Sequence, residues 1–299
     1  MADNPKKNPH QTANPQKGDP NTTGHSWDGI EEFDNPMPRW WVWSFILCVI
    51  FAMGYWVFYP AWPGINKATT GVLGYASRNQ VAKEIATFEA RNDVLFAQIL
   101  ETEPAELAQN EDLHRFAVNA GASVFKAQCS QCHGAGGGGV QAGGFPSLLD
   151  DDWLWGGKPA DIVQTVTYGI RNEDYPDARY SQMPSFGRDG LLTEDEIRQA
   201  ANFVLSLSGA DHDAELASAG AEVFDYNCSA CHGPNGGGNQ DLGAPALNDQ
   251  IWLYGGSEQT VYESIYNARF GVMPGFTDRL REGEVRAVAA YVHQLGGGE

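Results

Sequence analysis

The chain has 299 residues, a formal net charge of −19 at pH 7, and 42% hydrophobic, 11% aromatic and 19% charged residues. Taking roughly 100–200 residues per domain, that length allows two small domains plus an anchor. The acidity argues against a nucleic-acid or anionic-lipid surface; it favours steering of a basic partner, or simply keeps the domains soluble.

The charge is unevenly placed. Residues 1–39 hold four Lys/Arg against six Asp/Glu, and the chain from Lys67 onward holds fifteen against thirty-two. Residues 1–39 form a polar tail whose Asn, Pro, Lys and Gln bias reads as disordered through residue 26. No charge occurs from Trp40 to Asn66, and Trp40 to Tyr59 is almost wholly apolar. About 20 such residues cross a bilayer as a helix, so residues 40–60 are expected to span it. Trp40, Trp41 and Trp43 crowd one end, and Tyr55, Trp56, Phe58, Tyr59 and Trp62 the other, as interfacial aromatic belts do. Pro60 and Pro63 stop the helix. The run begins too late and is too long for the apolar part of a cleaved signal peptide, so it reads as a retained anchor. Cys48 within it reads as an inert small hydrophobe. Residues 61–113 form a partly helical linker, in which 80–108 read as a separate charged helix that breaks near Pro104 and spaces the C-terminal part of the chain from the membrane.

The remainder repeats itself. Gly121-Ala-Ser-Val-Phe125 recurs as Gly220-Ala-Glu-Val-Phe224, Cys129-Ser-Gln-Cys-His133 as Cys228-Ser-Ala-Cys-His232, and Trp153-Leu-Trp-Gly-Gly157 as Trp252-Leu-Tyr-Gly-Gly256, all 99 residues apart. Farther on, Glu196-Ile197 matches Glu284-Val285 and Phe203-Val204 matches Tyr291-Val292, 88 apart. The first copy therefore has eleven extra residues (99 − 88), most of them within 171–182. Two copies mean a tandem duplication, with domains expected at 114–208 and 214–297. Each copy reads as a helix, the Cys-x-x-Cys-His motif, a Gly-rich loop, short helices and a final helix. In the first copy that final helix opens with the capping box Thr193-x-x-Glu196. No run in the copies alternates convincingly enough for a sheet.

In Cys-x-x-Cys-His the two thiols add to the vinyl groups of one porphyrin, and the adjacent imidazole is thereby placed to ligate its iron. A zinc site would need further Cys or His at ligand spacing, and a redox dithiol would sit in a βαβ pattern; neither is found. Cys129, Cys132, Cys228 and Cys231 are thus expected to carry two covalently attached haem c groups, with His133 and His232 as proximal ligands. A thioether in the sixth position favours the ferrous state. Each copy offers one Met after its motif, in Met183-Pro-Ser-Phe186 and Met273-Pro-Gly-Phe276. These are the expected distal ligands, preferred over His114, His212 and His293, which lack counterparts in the other copy. Whether each Met serves its own copy or the two loops are exchanged is left open by sequence. The carbonyl of Pro146 or Pro245 is a candidate acceptor for the proximal imidazole N–H. Trp153, Trp155, Trp252 and Tyr254 are candidate haem-crevice residues, and Arg171 and Arg269 candidate propionate partners. The glycine runs 136–139 and 236–238 lack a following Gly-Lys-Ser/Thr and are not phosphate loops. Lys/Arg counts on either side of the span balance, so orientation rests on thioether attachment, which takes place across the membrane. That places the C-terminal part in a bacterial periplasm and the tail in the cytoplasm.

With Trp27-Asp-Gly-Ile-Glu-Glu-Phe-Asp-Asn-Pro-Met-Pro-Arg-Trp-Trp41 added to the haem motifs, the chain from about Trp27 to its end resembles the dihaem subunit (subunit III) of cbb3-type cytochrome c oxidases. The resemblance implies a mainly α fold, one N-terminal transmembrane helix and two tandem cytochrome c-type domains. It also implies a single-pass, inner-membrane electron-transfer role without catalysis of its own. Electrons would come from a soluble or membrane-bound cytochrome c and pass through a monohaem subunit to the catalytic subunit. A free-standing tethered dihaem carrier is the alternative. A dihaem peroxidase needs an open iron, whereas both irons here have a Met candidate. The cytochrome subunit of membrane alcohol dehydrogenases carries three motifs, whereas two occur here.

Overall fold

The computed structural model describes residues 22–296 and 298, and divides into two compact units, residues 1–86 and 87–299. The disorder expected for residues 1–21 lies outside the described residues. From Thr22 the expectation is corrected: β1 (Thr22–Trp27) and β2 (Ile30–Phe33) form an antiparallel hairpin with Trp27 opposite Ile30. Its two-residue turn is Asp28-Gly29, both at positive φ (50° and 83°). Asp-Gly is the pair that the type I′ hairpin turn demands, and this local device outweighs the polar composition around it. The apolar run is α1 (Arg39–Phe58), 20 residues with none buried. At 1.5 Å per residue it is about 30 Å long, the thickness of a hydrocarbon core.

The second unit takes in the C-terminal end of α2 (Ser77–Glu101), where Ile99 is buried with Leu107, Leu113, Ala117 and Ala287. The charged helix expected at 80–108 thus ends before Pro104, and its last turn is docked rather than separate. Then come α3 (Glu111–Val124), the motif helix α4 (Ser130–His133), α5 (Pro159–Tyr168) and α6 (Glu194–Leu207), the last with the expected Thr193/Glu196 capping box. The second copy gives α7 (Ala214–Asn227), the motif helix α8 (Ser229–His232), α9 (Glu258–Asn267) and α10 (Glu282–His293).

The two copies do not pack as separate halves. One core gathers Phe125 and Cys129 with Ile162 and Val166 of α5, and with Val285, Val288, Ala289 and Val292 of α10. The other gathers Ile197, Ala200, Ala201, Val204 and Leu205 of α6 with Phe224 and Cys228, and with Val261 and Ile265 of α9. Lobe 1 is therefore α3–α5 closed by α10, and lobe 2 is α6–α9, contiguous in sequence. The repeated glycine of the first helix marks each crossing. A Cβ on Gly121 would lie 2.1 Å from the Ala287 carbonyl oxygen, and one on Gly220 2.1 Å from that of Gln199. Ala287 and Gln199 are 88 apart, equivalent positions of the two final helices. The rings beside them repeat as well, Phe125 on Tyr291 and Phe224 on Phe203, at 5.3 and 5.1 Å.

The sequence copies 114–208 and 214–297 are consequently not the units of packing. The physical reason lies in the connection between α6 and α7. So short a link makes consecutive helices antiparallel neighbours. It is sealed by buried Asn202, whose Nδ2 donates to the Arg198 carbonyl and Glu258, and whose Oδ1 accepts from the Asp213 N–H. With α6 committed to α7, the same surface on α3 is left for α10.

Candidate haem-attachment sites

Each motif comes after the first helix of its copy, with Cys129 or Cys228 buried at the start of one short turn, which places the second Cys and then the His. The chain folds back through glycines so that the imidazole of each motif meets a carbonyl thirteen residues on: His133 Nδ1 lies 3.0 Å from Pro146 O, and His232 Nδ1 2.9 Å from Pro245 O. Matching backbone bonds hold both loops, with Gly139 N donating to His133 O and Leu148 N to Gly137 O in one, and Gly238 N to His232 O and Leu247 N to Gly236 O in the other. A carbonyl accepts only from N–H, so the Nδ1–H tautomer is fixed and Nε2 keeps its lone pair for a metal. Burial lowers both imidazole pKa values, opposed by the carbonyl bond. Neutral imidazole is the form a metal needs.

Burial, with the neighbouring Cys second, pushes the Cys129 and Cys228 thiols up to about 11. A redox dithiol needs the opposite shift, so this environment disfavours thioredoxin-like chemistry. The donor set fits a c-type haem: two thiols one helical turn apart, an oriented imidazole, and a half-buried Met packed against each core. Met273 packs against the core that holds Cys129, and Met183 against the one that holds Cys228. Each Met thus stands in the lobe of the other copy's motif. His212 sits on the exposed α6–α7 link with Nδ1 at 2.8 Å from Ala210 O, and His114 and His293 line a small cleft with Ile99, Leu107 and Arg286.

Of the aromatic candidates, Trp153 and Trp252 pack on their own lobes' cores. Trp155 and Tyr254 reach across instead: a Cβ on Gly243 would strike the Trp155 indole at 2.2 Å, and one on Gly144 the Tyr254 ring at 2.1 Å. Arg269 lies over Tyr254 at 5.7 Å and pairs with Glu263. Arg171 is not its structural twin, because its guanidinium donates to the Ser181 and Gly271 carbonyls. That role belongs to Arg179, which lies over Trp155 at 5.8 Å and bonds Asp161 and Gln164, the latter 99 residues before Glu263. Sequence alignment missed Arg179 because it sits inside the extra residues, with no counterpart in register. Its Nε is buried without a hydrogen-bond partner.

Comparisons with known proteins place the chain in a family. Residues 116–204 and 215–292 each match the family model "Cytochrome C oxidase, cbb3-type, subunit III", and residues 19–66 match "N-terminal domain of cytochrome oxidase-cbb3, FixP". The chain belongs to the subunit III family of cbb3-type cytochrome c oxidases. It is 54% identical to the cbb3-type cytochrome c oxidase subunit CcoP of Cereibacter sphaeroides over 94% of this chain and 97% of that one. It is 48% identical to subunit FixP of Rhizobium meliloti (93% and 95%) and 44% to subunit CcoP of Azospirillum brasilense (93% and 96%). As a member, this chain is a haem c-binding, membrane-anchored electron-transfer subunit of the oxidase complex. A free-standing carrier is not favoured.

Proposed function

We propose that the chain holds two covalent haem c groups: one on Cys129, Cys132 and His133 with Met273 as the sulfur ligand, the other on Cys228, Cys231 and His232 with Met183. The observation that carries this reading is the packing of each half-buried Met against the core that buries the other copy's first cysteine. Bound haem supplies a one-electron ferric/ferrous couple. The chain supplies everything that tunes it. Pro146 and Pro245 hold the imidazoles in one tautomer, the thioethers favour the reduced form, and the apolar cores keep water and dielectric low. Arg179 and Arg269 are the proposed cationic neighbours of the propionates.

The anchor α1 tethers the lobes on the periplasmic face of a bacterial inner membrane, with residues 1–39 in the cytoplasm. There the acidic domains steer a basic cytochrome c donor into productive encounter, and electrons leave toward a monohaem subunit and the oxygen-reducing subunit. The chain has no substrate site of its own in this scheme. Gentle solubilisation tests it: the chain is expected to co-purify with b-type haem and oxygen-reducing activity, with two c haems per chain by pyridine haemochrome and a mass raised by two haems. One c haem per chain, or a chain that runs alone, refutes the proposal.

A further inference from the structure

The two Met loops are built alike but held differently. The Met273 backbone is bonded at both ends to Ile170, Ile170 N to Met273 O at 2.9 Å and Met273 N to Ile170 O at 3.0 Å. Immediately beyond Ile170 begin the extra residues of the first copy. Arg171, at φ 52°, turns its guanidinium to Gly271 O (3.0 Å) and Ser181 O (2.8 Å), so one side chain ties the approach to Met273 to the far end of the extra segment. Tyr175 Oη donates to Asp278 at 2.6 Å, five residues past Met273. The segment is itself anchored, with Arg171 N donating to Arg179 O, Arg179 N to Gly169 O, and the Arg179 side chain to Asp161 on α5.

The other loop has no such frame. Among the described residues the Met183 backbone makes no hydrogen bond; its loop is held downstream, by Ser185 Oγ donating to Asn267 O and by the Gly187 and Arg188 N–H groups on Tyr266 O, all at 3.2 Å. The one sequence difference within the repeated Met-Pro-x-Phe motif has its cause here. Ser185 stands in one loop and Gly275 in the other, and a Cβ on Gly275 would lie 2.7 Å from the Tyr175 ring.

We infer that residues 171–182 are a brace that clamps the Met273 loop against lobe 1, so that its thioether is displaced from the iron less readily than that of Met183. The inference rests on the reading that Met273 is a ligand. A side chain held by backbone bonds on both flanks has few alternative positions, so a competing ligand must break those bonds before it can bind. Arg171, Tyr175 and Gly275 are then positioning residues, acting on the metal only through the loop.

The test uses the ferric, full-length holoprotein titrated with imidazole, a neutral competitor for the thioether, with the far-red absorption of Met-ligated ferric haem as readout. Met273→Ala and Met183→Ala assign the two sites. Arg171→Gln is expected to tighten imidazole binding at the lobe 1 site roughly tenfold, the equivalent of one charge-assisted hydrogen bond. Tyr175→Phe is expected to tighten it several-fold, with the lobe 2 site unchanged in both. Tyr175→Phe removes only an exposed hydroxyl, so the outcome does not depend on Arg171→Gln folding. Unchanged affinity at lobe 1, or equal changes at both sites, overturns the brace while leaving Met273 ligation intact. A far-red band undiminished by Met273→Ala overturns the ligation reading and the brace together.

Discussion

Lobe 2 is one uninterrupted stretch of chain, α6 through α9, whereas lobe 1 is assembled from α3–α5 and a helix that arrives more than a hundred residues later. Their interiors are nevertheless near-copies, down to the glycine at each helix crossing and the ring beside it. Duplication supplied two interchangeable final helices, and the length of one link decided which first helix each would cover. Equivalent cores therefore do not mean equivalent connectivity. The extra segment adds a second difference, since only the Met loop of lobe 1 is framed by it.

The largest effect expected is on ligation. In a protein that lacks the first attachment site (Cys129→Ala, Cys132→Ala), Met183→Ala should abolish the remaining far-red band and Met273→Ala should leave it; the reverse result would restore own-copy ligation. Next is Ile197→Ala. Ile197 belongs to the first sequence copy but is fully buried in lobe 2, so the loss of about 3 kcal/mol expected in denaturant unfolding should appear in the lobe around Cys228, not in the lobe around Cys129. Gly121→Ala forces α3 and α10 apart at a backbone contact and should cost about 2 kcal/mol, felt at lobe 1 alone, while Gly220→Ala does the same at lobe 2. The smallest effect sits at Asp152, whose carboxyl is pushed up to about 6 by burial, then by Asp249, Asp150 and Asp151. A carboxyl raised in the folded state costs stability once the unfolded chain ionises, a cost that grows as pH rises from about 4 to 6 and stays constant above. Asp152→Asn should therefore stabilise by about 1 kcal/mol at pH 7.5 after solvent screening and change nothing below pH 4, as thermal melts across that range will show.

Much of this was legible in the chain itself. The span expected at 40–60 is the helix 39–58, and the Pro146 and Pro245 carbonyls meet the imidazoles as expected, because both features depend on short-range pattern. The partnership of the final helices was not legible: α6 and α10 carry similar apolar stripes, so periodicity says that each will be buried but not against what. The Asp28-Gly29 turn was present in the sequence and was outweighed by the polar bias of its surroundings. The spatial counterpart of Arg269 is Arg179 rather than Arg171, which alignment could not reveal because it compares register, whereas the stacking on Trp155 depends on where a loop returns.

The late closure of lobe 1 bears on the order in which the protein matures. Synthesis runs from the N-terminus, so Cys129 and Cys132 leave the ribosome about a hundred residues ahead of their repeats, yet the helix that completes their pocket, Glu282–His293, emerges last. The pocket around Cys228 has all of its helices as soon as α9 is out. The first cysteines to arrive thus stay accessible longest, and a chain cut short before α10 retains a finished second pocket beside an unfinished first.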